Sequence, residues 1–293
     1  MLAAADTEAA RGLYRLGMRT SSIKSPVFIA KDTSTQPAGR MRLLKSAKEK
    51  TFPRRAPQIA VHDDDVFIVS YPRSGNTWMR FLLANLLAPQ ETITFRNIEN
   101  FVPDLHKSAA VLDNWPGRRY IKSHHRCYDR YPRFLYLYRD GRDAVVSYYH
   151  YVTEKKAFSG DFHEFVFSPR AAKFGSWREH VGGALDFAAS HPGRVLVLQY
   201  ERMLKRTREF AAKAASFVGI DCDGSSLAAA IAKSSFDQLR SIEKKFGGEK
   251  IDDVGAFFRT GETGRWRHYF SDALYEKYLR DNAQILLRLG YSL

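Results

Sequence analysis

The stretch that most constrains this 293-residue chain runs from Val66 to Leu87, VFIVSYPRSGNTWMRFLLANLL. Val66, Phe67, Ile68 and Val69 are β-branched or aromatic and bounded by Pro72 and Gly75, so they read as a strand buried on both faces. Beyond the turn, Trp78, Met79, Phe81, Leu82, Leu83, Leu86 and Leu87 give the broad apolar face of a packed helix. Ser74, Gly75, Asn76 and Thr77 lie between them, small enough for successive backbone N–H groups to converge on one anion at the helix N-terminus. That arrangement is a phosphate cradle, to which Arg73 adds a fixed positive charge. It differs from the Gly-x-x-x-x-Gly-Lys-Ser/Thr loop of nucleoside triphosphatases, having one glycine and a basic residue before the cradle. The plain alternative is a strand-to-helix turn with a solvated arginine.

Two further apolar runs extend the pattern. Arg133 to Arg139, RFLYLYR, reads as a second buried strand, followed by a helix opening near Asp140 that carries Ser147. Val195 to Gln199, VLVLQ, reads as a third, after a helical stretch from Ser176 to Ser190. Between the cradle helix and the second strand, Tyr120 and Ile121 make a short strand-like core. Lys122 and His124 follow and share one face if the strand persists. Strands alternating with helices predict a parallel, helix-covered sheet, with Arg139 and Ser147 at the carboxyl-end crevice where such sheets bind ligands. Thr153 to Gly175 has scattered phenylalanines and Pro169, and is read as an acceptor-side loop over the sheet edge. The alternative there is a structural crossover packed on the core. A closing helix is expected from Ser271.

Composition decides compartment and partners. Cys127 and Cys222 are too few for a disulfide framework and lack metal-ligand spacing, which fits a reducing, cytoplasmic setting. No apolar run is long enough to span a membrane, and Asp6 and Glu8 interrupt what a secretory leader would need. The net charge is +14, and residues 1–60 hold 12 Lys and Arg against 4 Asp and Glu, so more than half of the excess sits there. Residues 1–58 are therefore read as a basic, loosely packed arm, and 59–293 as one folded domain. A weak peripheral membrane contact is a second reading of the arm. No nucleic-acid partner is expected, since the charge is not organised as a groove-reading motif.

Taken together, the blocks resemble the cytosolic-type sulfotransferase family from about Val66 to the C-terminus. The cradle YPRSGNTW, Tyr71 to Trp78, is similar to that family's loop for the 5′-phosphosulfate of 3′-phosphoadenosine 5′-phosphosulfate (PAPS). Lys122-Ser123-His124 matches the Lys-x-His that holds the family's catalytic histidine. YRDGRDAVVSYY resembles its 3′-phosphate site, which implies Arg139 and Ser147 in that role. Gly175-Ser176-Trp177 with His180 and Val181 matches the stretch leading to Tyr200. Arg259-Thr260-Gly261 and the residues to Trp266 resemble its C-terminal phosphate loop. The resemblance also implies that Trp78, Tyr200 and Phe236 pack on the adenine. The expected fold is then α/β and P-loop-like, with a central parallel sheet covered by helices on both faces.

What the resemblance implies chemically is in-line sulfuryl transfer from PAPS to an alcohol or phenol, leaving adenosine 3′,5′-bisphosphate, with His124 as general base and Arg73 and Lys122 beside the transferred group. No metal is expected, because the sulfuryl group bears less charge than a phosphoryl group. Four departures stand out, one being that Gly182 to Leu185 lacks the tryptophan pair often found after His-Val in the family. Arg73 replaces the usual lysine and acts as a clamp, not an acid. Thr260 interrupts the usual Arg-Lys-Gly. The dimer motif survives only as Arg267, Ser271, Asp272 and Glu276, leaving monomer or homodimer undecided. The rival functions are a P-loop nucleotide kinase and a non-catalytic adenosine-bisphosphate binder.

Overall fold

The computed structural model describes residues 56–249, 257–259 and 261–293. All of the expected basic arm except residues 56–58, Thr260, and the first six residues of the 251–293 tail lie outside the described residues. Ala56 and Ile59 are already part of the buried core.

Four strands, β1 (Val66–Ser70), β2 (Tyr120–Ser123), β3 (Arg133–Tyr138) and β4 (Val195–Gln199), form one sheet in the order β2-β1-β3-β4. Every pairing is parallel: Val66 lies opposite Tyr120 on one side and Arg133 on the other, and Phe134 opposite Val195. All five residues of β1 are buried because it is a central strand with helices on both faces. Its side chains alternate between two cores. Phe67 and Val69 pack with Tyr131, Tyr136 and Trp177, whereas Val66 and Ile68 pack with Met79, Leu83 and Ala214.

The helices divide accordingly. α1 (Asn76–Leu87) backs the Ile68 face, and α2 (Leu105–Leu112) lies along the chain before β2, contributing Leu105 and Leu112 to the Phe67 side. α3 (Gly141–Glu154), α4 (Phe162–Val166) and α5 (Trp177–Ser190) add to that Phe67 side. α6 (Tyr200–Lys205), α7 (Thr207–Val218), α8 (Gly224–Lys233) and α9 (Phe236–Phe246) complete the Ile68 side, and α10 (Asp272–Arg288) closes the first. The expected starts hold: Asp140 caps α3, Ser176 caps α5 and Ser271 caps α10.

The segment 153–175 departs from an irregular loop. Asp161 and Glu164 form a reciprocal capping box that starts α4, and Phe162 and Phe165 are buried in the core, so this part is a packed crossover. Lys155 and Ala157 at its start and Arg170, Lys173 and Phe174 near its end reach the cavity described below.

The amino ends of β1 and β2 are clamped by one buried ion pair. Arg119 Nε donates to Asp65 Oδ1 at 2.7 Å and its Nη2 to Oδ2 at 2.5 Å, with both side chains fully buried. Two further guanidinium hydrogens go to the carbonyls of Leu112 and Ala60, each at 2.7 Å, which ties α2 and the chain before β1 to the same point. Removing one partner strands a buried charge. Asp65→Ala should therefore cost about 3–5 kcal/mol of unfolding free energy, read as a lowered midpoint in urea denaturation. An unchanged midpoint would show that the clamp contributes nothing net.

Candidate active site

The sheet order reverses between β1 and β3, and the turn after β1 sits at that switch point, where open α/β sheets form their crevice. Tyr71 to Gly75 make the turn, with Arg73 at φ 65° and Gly75 at φ 95°. Gly75 is required twice over. Its backbone is left-handed, and a Cβ placed there would lie 2.8 Å from the Tyr200 ring. Gly75 is also the N-cap of α1, and no side chain caps that helix, so its first N–H groups have no capping side chain. Asn76 plays a different part from its neighbours. Its side-chain Nδ2 donates to the Ile68 carbonyl at 2.9 Å and lies 3.3 Å from Ser70 Oγ, fastening α1 to the carboxyl end of β1.

A cavity of about 600 Å³ opens over this turn. Arg73, Gly75, Asn76, Thr77, Trp78, Lys122, His124, Arg139, Ser147, Tyr200, Phe236, Arg259 and Gly261 all line it. Ser74 does not; it is fully buried and its hydroxyl has no partner among the described residues. Thr260 falls outside the described residues.

One group of contacts surrounds the aromatic residues. Trp78 Nε1 donates to the Ser234 carbonyl at 2.8 Å, and its ring meets Tyr200 edge-on with centroids 6.5 Å apart. The Arg139 guanidinium lies 4.8 Å from the Tyr200 ring centre and donates to the Glu262 carbonyl at 2.7 Å, while its buried Nε is unpartnered among the described residues. Gly261 is seated against Phe236, where a Cβ would come within 3.1 Å of the ring. The C-terminal loop is tied to α3 by Asp143, whose carboxylate accepts from the backbone N–H groups of Gly264 at 2.6 Å and Trp266 at 3.0 Å. Arg73 reaches into the same group: its Nε donates to Ser147 Oγ at 3.1 Å and its Nη2 to the Phe257 carbonyl at 2.8 Å.

The second group is built on the end of β2, which stops at Ser123, so His124 stands one residue beyond the strand. His124 Nδ1 lies 2.7 Å from the Ser70 carbonyl oxygen, an atom that can only accept. The proton is therefore on Nδ1, and among the described residues Nε2 has no hydrogen-bond partner. Burial, followed by the charge of Lys122, holds this imidazole well below its ordinary pKa, so it is neutral at neutral pH. Its backbone is held as well, because His180 Nε2 donates to the His124 carbonyl at 3.0 Å while Tyr136 OH donates to His180 Nδ1 at 2.7 Å. Burial pushes His180 down to about 4, so it too is a neutral, satisfied core residue.

Lys122 Nζ donates to Asp104 Oδ2 at 2.5 Å. Burial would raise the pKa of the Asp104 carboxyl, but Lys122 and then Arg80 outweigh it and hold the carboxyl far below the usual range. Asp104 also caps α2 by accepting from the His106 N–H at 2.9 Å. From its sequence it reads only as a helix start, and its place beside Lys122 comes from the parallel bridge between these two residues. His125, next to the base candidate, bonds instead to His106, Nε2 to Nε2 at 2.8 Å. Glu249, Lys107, Lys155, Arg170 and Lys173 also enter the wall without belonging to any recognised motif.

Residues 63–286 match the family described as "Sulfotransferase domain", and the chain belongs to that family. It is an enzyme of the sulfotransferase class. It is 28% identical over 251 residues to the flavonol 3-sulfotransferase of Flaveria bidentis, covering 74% of this chain and 80% of that protein. It is 27% identical over 263 residues to the luciferin sulfotransferase of Photinus pyralis, covering 74% and 70%. The fold is similar to that of mouse sulfotransferase SULT7A1 complexed with PAP, with a TM-score of 0.61, 23% identity and coverage of 78% and 85%. It is also similar to retinol dehydratase in a complex with retinol and PAP, with a TM-score of 0.62, 20% identity and coverage of 78% and 82%. No helix among the described residues is long and apolar enough to cross a membrane.

Gly75→Ala places a side chain at a left-handed backbone position and against Tyr200. A stability loss of about 1–3 kcal/mol is expected, measured by thermal or urea unfolding. A variant as stable as the parent would mean that the turn relaxes to accept it.

Proposed function

We propose that this chain transfers the sulfuryl group of PAPS to the hydroxyl of a small molecule, with His124 Nε2 as the base. The observation that carries the reading is the Nδ1 bond to the Ser70 carbonyl, which leaves Nε2 as the proton acceptor in a cavity shared with Lys122 and the Gly75 cradle. In the transfer, the acceptor oxygen forms a bond to sulfur as the bond from sulfur to the 5′-phosphate oxygen breaks. The hydroxyl proton passes to His124 Nε2, and the electron pair of the broken bond stays on the phosphate.

The donor's parts find matching groups. The α1 N-terminus and Arg73 suit the 5′-phosphosulfate, Lys122 the transferred group, and Arg139, Ser147, Arg259 and Gly261 the 3′-phosphate. Trp78, Tyr200 and Phe236 offer ring faces and edges to the adenine. The PAP complexes of the two similar folds support this donor. The names of the flavonol and luciferin enzymes support a hydroxyl-bearing small molecule as acceptor.

The donor assignment is checked by melting. PAP should raise the melting temperature more than ATP with magnesium, since a ligand stabilises the state it binds. Arg139→Ala should weaken PAP binding while leaving 5′-AMP binding nearly unchanged. Equal losses for the two nucleotides would refute the 3′-phosphate role.

The base assignment is checked by rate and pH. His124→Asn should lower turnover by ~10²-fold or more with little change in PAP affinity, whereas His125→Asn should turn over normally. A protonated imidazole cannot accept a proton, and burial and Lys122 both disfavour protonation. The acid limb of kcat/KM should therefore lie below pH 6.5, with activity lost only as the pH falls through the lowered value. An acid limb above 6.5, or a fully active His124→Asn enzyme, would remove His124 from this role.

A further inference from the structure

The charges on the acceptor side of the cavity are not evenly matched. Lys122 is paired with Asp104 at 2.5 Å. Glu249 is shared between Lys107 at 3.1 Å and Lys155 at 3.6 Å, and it also accepts from Tyr151 OH at 2.8 Å. These two carboxylates are the only acidic side chains on that side of the wall among the described residues, and both are committed.

Arg170 and Lys173 line the same cavity and have no ion-pair partner among the described residues. Arg170 Nε is buried without a hydrogen bond among the described residues, a costly state for a guanidinium donor. Lys173 stands over the Phe174 ring at 5.1 Å, and that ring is 5.4 Å from the His124 imidazole. The two cations feel one another and Lys122: burial, then Arg170, then Lys122 lower the pKa of Lys173, and only Asp104 opposes them. Phe174 thus presents an apolar ring next to the base, on a wall that also carries two cations with no ion-pair partner among the described residues. A neutral phenol or sterol would leave both of them unmatched, whereas an acceptor with its own anion would pair them.

We propose that the acceptor is a hydroxyl compound bearing an anionic substituent, a carboxylate or another acidic group, received by Arg170 and Lys173 while its hydroxyl meets His124. This rests on the sulfotransferase reading above and narrows its acceptor. The two residues select the substrate; they are not assigned to the reacting atoms. An aromatic or alicyclic body would lie on Phe174, and the acid would take the fork of the guanidinium and the ammonium together.

The test uses a matched pair of acceptors, 3-(4-hydroxyphenyl)propionate and 4-ethylphenol, which differ in a carboxylate far from the hydroxyl. Binding of each to the PAP-saturated full chain is measured by calorimetry, and transfer from PAPS by mass spectrometry. The acid should be favoured by ~10-fold or more in both affinity and kcat/KM, and the preference should shrink as salt rises. Arg170→Gln with Lys173→Gln should abolish it, Arg170→Lys should retain part of it, and Lys173→Glu should reverse it toward the neutral compound.

If PAP binds and the parent protein favours 4-ethylphenol, or if the preference survives in the double variant, the inference is overturned and the sulfotransferase reading stands. If PAP itself does not bind, the donor reading falls and this inference falls with it. A double variant that fails to fold is recognised by its melting curve, and Lys173→Glu, at an exposed position, then decides the matter through the sign of the preference.

Discussion

The carbonyl oxygen of Ser70 is the atom through which the two sides of the cavity are joined. It ends β1, the strand from which the cradle turn springs, and it accepts the Nδ1 hydrogen of His124 from the end of β2. Parallel pairing of β1 with β2 brings these two chain ends side by side, and Asn76 fastens α1 to the same edge through Ile68. The Gly75 turn and the imidazole are thereby placed by one sheet edge, not by two flexible loops. Rigid placement of this kind is what lets positioning contribute to rate, since reacting groups need not be ordered at the moment of reaction. The Arg119 clamp acts at the opposite end of the same two strands, so both ends of the β1–β2 pair are fixed by buried polar groups.

Much of this edge was legible in the sequence because its signals are local. The apolar runs of β1, β3 and β4, the small-residue turn and the caps Asp140, Ser176 and Ser271 each occupy a few consecutive residues, and each took the expected place. What was not legible is what depends on distant segments meeting. Asp104 carries a readable helix-cap signal, but nothing near it predicts a bond to Lys122. Glu249 collects Lys107, Lys155 and Tyr151 across about a hundred residues or more of chain. Arg170 and Lys173 sit in a phenylalanine-rich stretch whose apolar residues divide between core and cavity, which hides any single period. The capping box of α4 was a local signal, Asp161 followed three residues later by Glu164, obscured by the short length of the helix it opens.

Arg73 makes contacts that a lysine at the same place could not. Its guanidinium spans two directions at once, to Ser147 on α3 and to the Phe257 carbonyl, and lies 4.2 Å from the Phe257 ring centre. An ammonium is a point charge on a flexible stem and could not hold this fork. The arginine also occupies a left-handed backbone conformation, at φ 65°, that a non-glycine residue adopts only at a cost. Burial lowers its pKa, yet a guanidinium stays charged at any pH at which the enzyme works. Arg73 therefore fixes a permanent charge at the turn and links it to the Phe257 main-chain carbonyl.

The distribution of counter-charges then explains how so cationic a cavity remains folded. Desolvating a cation is costly unless a carboxylate or carbonyl comes with it. Lys122 has Asp104, Lys107 and Lys155 share Glu249, Arg259 lies 3.8 Å from Glu154, and Arg73 and Arg139 each donate to a backbone carbonyl. Lys173 meets only part of the cost by staying exposed, since partial burial still lowers its pKa. Arg170 has neither remedy in full, since its Nε is buried and unpartnered. What Arg170 brings to the cavity wall is a guanidinium with no ion-pair partner among the described residues, and an anion arriving with a ligand would supply the counter-charge that the fold does not. The same cation in a closed core would only destabilise.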